Sequence, residues 1–264
     1  MKVLVACEFS GTVRDSFTVN GGHDAWSCDL LPSESKGNHI QGDVLDIIDQ
    51  GWDLMIAFPP CTYLCSSGLH WNKRRPGRAE KTEEALRFVK VLLNSRIPRI
   101  ALENPIGCIS SRIRKPDQII QPYQHGHLAQ KSTCLWLKNL PLLKPSNLIP
   151  NPKEIQPGLK KRGYPNPLYN LFPSKDRWAK RSKTYAGIAR AMSSQWSDNL
   201  CIECHQDTSF GSGLFVNRIP AEHGTQDGYL CHQCQLVECD KCGQGTLDYH
   251  LDGNILCNDC WEHS

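Results

Sequence analysis

Trp52-Asp53-Leu54-Met55-Ile56-Ala57-Phe58-Pro59-Pro60-Cys61 is an apolar run that halts at two prolines and a cysteine. A short apolar run bounded by turn residues reads as a strand buried on both faces, the kind found inside parallel sheets. Proline fixes φ and has no N–H with which to continue a sheet. The turn after Phe58 is therefore stiff, and Cys61 is delivered to one place. In α/β proteins that place, the carboxyl end of an inner strand, is where ligands bind. A thiol held there is a candidate nucleophile, since the thiolate attacks and covalent catalysis needs fixed geometry. Taken alone, a cysteine is more often a small buried hydrophobe, so the reading depends on what surrounds it.

Outward from this strand the chain alternates strand-like and helix-like segments. Lys2–Cys7, His23–Cys28 and Arg99–Glu103 are further strand candidates, and Thr133–Leu137 a later one. Within Glu80–Ser95, Ala85, Leu86, Val89, Leu92 and Leu93 recur at helical spacing among charged residues. Thr184–Trp196 reads as a helix closing the large domain. The alternation predicts an α/β fold, a doubly wound Rossmann-like parallel sheet with its ligand crevice at the strands' carboxyl ends. Eight prolines fall between Leu140 and Pro173, with Lys160-Lys161-Arg162 among them, which predicts an irregular insertion over about 140–173.

Charge and cysteine divide the chain near residue 198. Residues 1–198 carry 28 basic and 17 acidic side chains, while residues 199–264 carry 2 and 10. A basic large domain suits a phosphate-bearing partner; the acidic end does not. Eight of the 14 cysteines lie in that acidic end, all in Cys-x-x-Cys pairs. Met1–Val5 reads as a first strand rather than a leader, and no apolar stretch approaches the ~20 residues of a membrane helix. The expectation is a soluble, cytoplasmic protein in which the paired cysteines bind metal rather than form disulfides.

With Cys61 in view, residues 1–196 resemble the C5-cytosine DNA methyltransferases through an ordered series of short motifs. Phe9-Ser10-Gly11 follows the first strand, as the family's Phe-x-Gly cofactor loop does. Asp29 follows the second strand, where the family places an acid near the cofactor ribose. Gly42-Asp43-Val44 matches its adenine-contacting turn, Phe58-Pro59-Pro60-Cys61 its nucleophile loop, and Glu103-Asn104-Pro105 its Glu-Asn-Val. Arg181–Trp196 resembles its closing helix. The resemblance implies S-adenosylmethionine as cofactor, lined by Phe9, Ser10, Gly11, Asp29, Asp43, Val44 and Pro59. It implies DNA as partner, single-stranded or with the target base flipped out, in a restriction–modification or phage setting. Cys61 would be the nucleophile, Glu103 the acid at ring N3, and Asn104 the residue holding the loop.

The chemistry of those positions follows from the base. Carbon 5 of cytosine is a poor nucleophile, and a thiolate adding at carbon 6 makes it enamine-like. An acid at N3 eases that addition, which asks for a carboxyl with a raised pKa in a desolvated pocket. Three departures from the family stand out. Gly11-Thr12-Val13-Arg14 lacks its further glycines. Gln130-Lys131-Ser132 stands where it has Gln-x-Arg-x-Arg, making Lys131 the candidate for the base carbonyl, with His125 and His127 as alternatives. The proline-rich stretch replaces its target-recognition domain. Trp71-Asn72-Lys73-Arg74-Arg75-Pro76-Gly77-Arg78, just after the nucleophile loop, could clamp phosphates and stack on a displaced base; otherwise it is a solvated basic loop.

Cys201/Cys204, Cys231/Cys234, Cys239/Cys242 and Cys257/Cys260 can each give two thiolates to a tetrahedral zinc, so four pairs make two structural sites. Asp227-Gly228-Tyr229-Leu230-Cys231 echoes Asp252-Gly253-Asn254-Ile255-Leu256-Cys257, suggesting two successive knuckles, with a crossed pairing left open. The spacing resembles LIM-type or treble-clef modules. His205, His223, His232 and His250 read as neighbours of a complete cysteine set, and the negative charge suits a protein partner. The chain is thus expected to hold a methyltransferase domain (1–198) and a two-zinc domain (199–264). The competing readings are the same thiol chemistry on RNA or free nucleotides, and a catalytically silent binding adaptor.

Overall fold

The computed structural model describes residues 1–149, 174, 177–197, 201, 203, 204, 219–223, 226–246 and 260. Two compact units divide the chain, Met1–Ser197 and Asp198–Ser264.

The first unit is built on a seven-stranded sheet: β1 (Lys2–Ala6), β2 (Asp24–Asp29), β3 (His39–Gln41), β4 (Leu54–Ala57), β5 (Arg99–Pro105), β6 (Gln118–Ile120) and β7 (Thr133–Lys138). Its order is β3-β2-β1-β4-β5-β7-β6. The chain moves outward one way from β1 to β3, then returns to β4 on the other side of β1. That reversal opens a crevice at the carboxyl ends of β1 and β4. The fold is the doubly wound α/β sheet read from sequence, with one difference. β7 runs antiparallel to both β5 and β6, so the sheet is mixed rather than wholly parallel.

Strand burial explains the apolar runs. Leu54, Met55, Ile56 and Ala57 are all fully buried because helices cover both faces. On one face Leu4, Ala6, Met55, Ala57, Ile100 and Leu102 pack with Leu86, Val89 and Leu92 of the long helix Arg78–Leu93. On the other Val3, Val5, Leu54, Ile56 and Ala101 pack with Val13 and Phe17 of α1 (Thr12–Gly21) and with Ile188, Ala191 and Met192. With α1 introduced, the long helix is α2 and the closing helix Ala186–Gln195 is α3. Three buried tryptophans keep their indole N–H groups satisfied: Trp52 donates to the Ile47 carbonyl, Trp136 to Arg114 and Trp196 to Pro141, at 2.7, 2.8 and 3.0 Å.

The loop after β1 is fixed by two charged side chains. Glu8, buried, accepts the Val13 N–H at 2.8 Å and the Arg14 N–H at 3.2 Å, capping the first turn of α1. Arg14 is 1% exposed and donates to Ser27 Oγ, Ser33 Oγ, Ser35 Oγ and the Lys36 carbonyl, tying down the loop that leads to β3.

In the second unit, β8 (Ile219–His223) pairs antiparallel with β9 (Gln226–Leu230), and β10 (Val237–Glu238) with β11 (Gly245–Thr246). Residues 150–173, most of the expected proline-rich insertion, lie outside the described residues, as do Cys257, His205 and His250. No helix of the described residues is long and apolar enough to cross a membrane.

Candidate active site

Phe58 continues β4 by donating its N–H to the Ala6 carbonyl at 2.9 Å, and the prolines then end the strand. Cys61 begins a tight turn, Cys61–Tyr63, in which its carbonyl accepts the N–H groups of Leu64 and Cys65 at 3.0 and 2.9 Å. The thiol sits at the protein surface, as the prolines lead one to expect.

This turn is laced to the exit of β5. Asn104, 1% exposed, donates from Nδ2 to the Pro59 carbonyl at 2.8 Å. Ser66 N–H donates to the Ile106 carbonyl at 3.0 Å, and Cys108 N–H to the Leu64 carbonyl at 2.9 Å. Gly107 lies so close that a Cβ there would collide with the Leu64 carbonyl oxygen. The sequence singled out Asn104 but gave no sign of Ile106, Gly107 or Cys108, because these contacts join segments some forty residues apart. The lacing fixes where Cys61 stands relative to Glu103, one residue before Asn104.

Glu103 is half-buried by surface, yet protein surrounds its carboxyl, and this burial raises its pKa; the Lys131 charge and a hydrogen bond from Thr133 pull the other way. The β5/β7 register opposes Pro105 to Thr133, bringing Thr133 and Lys131 alongside. Cys61 is also raised, by burial first, then by the charges of Glu103 and Cys65, with Lys131 opposing. Its thiol is open at the surface but hemmed in by protein, so desolvation still acts on it. The thiol is therefore harder to ionise than a free one, first because burial disfavours the thiolate and then because Glu103 repels a second negative charge. Cys61, Glu103 and Lys131 form one electrostatic cluster.

Lys131 is held in place by its backbone: its N–H donates to Gln121 Oε1 at 3.0 Å, while Nζ reaches the Arg181 carbonyl at 3.4 Å. The two histidines offered as alternatives are engaged elsewhere. His125 is buried with Nδ1 3.0 Å from Ser146 Oγ, and His127 Nε2 accepts the Gly187 N–H of α3 at 2.8 Å. Burial lowers the pKa of both.

Beside the nucleophile turn lies a cleft of about 530 Å³ at the carboxyl ends of β1 to β4. That volume falls in the ~300–1,000 Å³ range of small-molecule sites. Asp29, Asp43, Val44 and Pro59, four of the seven expected cofactor residues, line it. Asp29 Oδ1 accepts the Leu31 N–H at 3.0 Å and Asp43 Oδ1 the Leu45 N–H at 2.9 Å, which orients both carboxylates. Phe9, Ser10 and Gly11 are not in its wall. Ser10 Oγ is tied to Glu8 and Thr12, the Phe9 carbonyl accepts the Glu34 N–H, and Gly11, at φ +74°, abuts Ser35 and Arg14. The loop is drawn toward residues 33–38 instead. Cys7, Tyr63, Lys81 and Phe88 line the cleft unannounced by the sequence.

The basic stretch after the turn is an ordered structure. Arg75 lies 4.4 Å above the Trp71 ring and Arg78 4.9 Å above Tyr63, and Arg78 donates to the Thr62 carbonyl at 2.9 Å. Lys73, Arg74 and Arg75 stay exposed in the stretch that follows the Cys61 turn.

In the second unit, the sulfurs of Cys201, Cys204, Cys231 and Cys234 lie within 4.8 Å of one another, as do those of Cys239, Cys242 and Cys260. Both groups could hold a metal ion.

No family model and no curated protein matches this sequence. Among solved structures, the chain is similar to a protein described as a DNA modification methyltransferase encoded within an E. coli prophage. The identity is 15%, with 57% of this chain and 52% of that one covered, at a TM-score of 0.35. It is also similar to the Entamoeba histolytica methyltransferase EhMeth, at 15% identity over 56% of this chain and 57% of that one, with a TM-score of 0.39. The chain thus spans about half the length of these structures.

Proposed function

We propose that this protein is an S-adenosylmethionine-dependent methyltransferase acting on carbon 5 of cytosine in DNA, with Cys61 as nucleophile. The observation that carries the reading is the cluster of Cys61, Glu103 and Lys131 at adjoining strand ends, next to a cleft rimmed by two oriented carboxylates. Asp29 and Asp43 suit the hydroxyl and amino groups of an adenosine, and Val44 and Phe88 its apolar ring. The cofactor would supply an electrophilic methyl group on a sulfonium.

Cys61 and Glu103 are best treated as a pair that shares a proton. A thiol beside a carboxylate and a thiolate beside a carboxylic acid carry the same total charge, which Lys131 balances. Moving the proton from Cys61 to Glu103 makes both reactive forms at once. The thiolate then bonds to carbon 6 of the base while Glu103 gives its proton to N3, so the ring stays neutral. Lys131 would stabilise the base carbonyl. After carbon 5 is methylated, its proton leaves to solvent, the S–C6 bond breaks, and Glu103 recovers the N3 proton. Asn104 keeps the turn in position throughout by holding the Pro59 carbonyl.

Carbon 6 lies within the base stack of a duplex, so the target must be unstacked, and Lys73, Arg74 and Arg75 would grip the backbone beside it. The eight C-terminal cysteines would hold two structural zinc ions, since four-thiolate sites keep no open position for chemistry. The test is mass spectrometry of nucleosides from unmodified DNA treated with protein and S-adenosylmethionine. The reading expects 5-methylcytosine with the native chain and none with Cys61→Ala. Methylation of RNA or free nucleotides alone would redirect it to another substrate, and no product on any of them would end it.

A further inference from the structure

We propose that His127 is the positioning residue for Lys131: by capping α3 from the β6–β7 loop, it fixes the loop that sets the Lys131 charge against Cys61 and Glu103. The proposal rests on the reading above only for what Lys131 does to a base. The placement of Lys131 near Cys61 can be read without any substrate.

The argument starts at the amino end of α3. The first N–H groups of a helix have no partner within it. Tyr185, the residue before α3, makes no side-chain capping bond. His127 supplies the cap from sixty residues away, its Nε2 accepting the Gly187 N–H at 2.8 Å. Glycine is required at 187, because a Cβ there would lie 1.8 Å from the His125 carbonyl oxygen and 2.9 Å from His127 Nε2. The imidazole also packs on Tyr185, with ring centroids 5.0 Å apart. α3 is a firm anchor, since Ile188, Ala189, Ala191 and Met192 are buried in the core.

From His127 the tie runs to Lys131. The His127 N–H donates to the Pro122 carbonyl at 3.1 Å, and its own carbonyl accepts the N–H of buried Ala129 at 2.6 Å. Gln121 closes the loop at its other end. Its Oε1 accepts the Lys131 N–H at 3.0 Å while its Nε2 donates to Ser132 Oγ at 2.8 Å. Lys131 Nζ then reaches the Arg181 carbonyl, a few residues before the helix that His127 grips. Backbone and ammonium of Lys131 are thus both referred to the segment leading into α3.

The bond also has a sign. An Nε2 that accepts is unprotonated, so the ring is neutral with its proton on Nδ1. Burial first and the Arg190 charge second lower its pKa, and a cation at a helix N-terminus is disfavoured besides. Tyr185 ahead of α3, Arg190 on it and His125 on the loop are the titratable groups that act on the ring, and none of them is an acid that would hold a second proton there. Acidification therefore releases the loop, and Lys131 with it.

The test follows the pH midpoint of Cys61 alkylation by iodoacetamide on the full chain, read by peptide mass spectrometry. His127→Phe keeps a ring against Tyr185 but has no acceptor, whereas His127→Gln keeps an acceptor that does not titrate. His127→Phe is expected to raise the midpoint by about half a pH unit, roughly threefold slower alkylation at neutral pH, as an opposing charge is displaced rather than deleted. His127→Gln should restore the native midpoint. In a Lys131→Met background His127→Phe should add nothing. An unchanged midpoint in His127→Phe, no rescue by His127→Gln, or the same shift without Lys131 would each overturn the proposal. If His127→Phe fails to fold, nitrogen NMR of the native ring decides: Nε2 should be bare at about pH 7.5, and a proton there would overturn the proposal. These readouts need no nucleic acid, so their failure is separable from a failure to methylate.

Discussion

Replacing Asn104 by alanine tests how the nucleophile is positioned, and its cost can be worked from two atoms. Nδ2 donates to the Pro59 carbonyl at 2.8 Å in a site where Asn104 is 1% exposed. Losing a buried hydrogen bond costs about 0.5–1.5 kcal/mol net, and a carbonyl left dry and unpaired costs about 1–3 kcal/mol. Against this, Asn104 Oδ1 has no hydrogen-bond partner, so deleting it recovers part of its own burial penalty. The net expectation is a loss of about 1–2 kcal/mol. In a unit of this size, each kcal/mol lowers the melting temperature by roughly 2–4 °C, so the first unit should melt about 2–8 °C lower. Such a loss leaves the protein folded at 25 °C, and any fall in turnover then reports position rather than unfolding. A nucleophile displaced by about 1 Å can cost up to ~100-fold, and at least a tenfold fall in kcat is expected. Asn104→Asp adds a control of the same shape whose carboxylate cannot donate to Pro59. The assays are calorimetry and product formation on DNA. Unchanged melting and turnover in both variants would refute the idea that this bond sets the Cys61 turn.

Four further outcomes follow from the same geometry. Burial first and the Glu103 charge second raise the Cys61 pKa, so Glu103→Gln should quicken alkylation of Cys61 at neutral pH while methylation falls; Lys131→Met should slow alkylation, having lost the opposing charge. Burial holds the Glu103 pKa above its unfolded value, so its contribution to stability is complete below about pH 4.3 and is lost as pH rises through the folded pKa. Urea midpoints of Glu103→Gln across pH should therefore decline less on the alkaline side than those of the native chain. Gly107→Ala drives a methyl group into the Leu64 carbonyl and should cost about 1–3 kcal/mol by denaturant titration, with activity falling further because the Cys61 turn must shift.

The sequence announced what local pattern can announce. Leu54–Ala57 stands out as a continuous apolar run and the α2 stripe of Leu86, Val89 and Leu92 by its helical period, and both elements are present. β3 and β6 have three residues each, too few for any period, and went unnoticed. The reversal of β7 was also hidden, since a strand's pattern does not encode its direction. Thr133–Lys138 is apolar either way. At the candidate site, Cys61, Glu103 and Asn104 were singled out because each lies near the carboxyl end of an apolar strand run. Their lacing through Ile106, Gly107 and Cys108 was not, being a product of tertiary approach. Arg14 entered the sequence reading only as part of a stretch lacking the family's glycines, and the structure makes it a buried clamp. The raised Cys61 pKa comes from burial beside Glu103, a carboxylate forty-two residues away in the chain.

The most direct test of the account is to trap the bond between Cys61 and the base. DNA carrying 5-fluorocytosine, incubated with the protein and S-adenosylmethionine, has no C5 proton to lose, so the adduct should persist. Peptide mass spectrometry is expected to place the modified base on Cys61. An adduct on another cysteine, or normal methylation of ordinary DNA with no trapped species, would contradict the account.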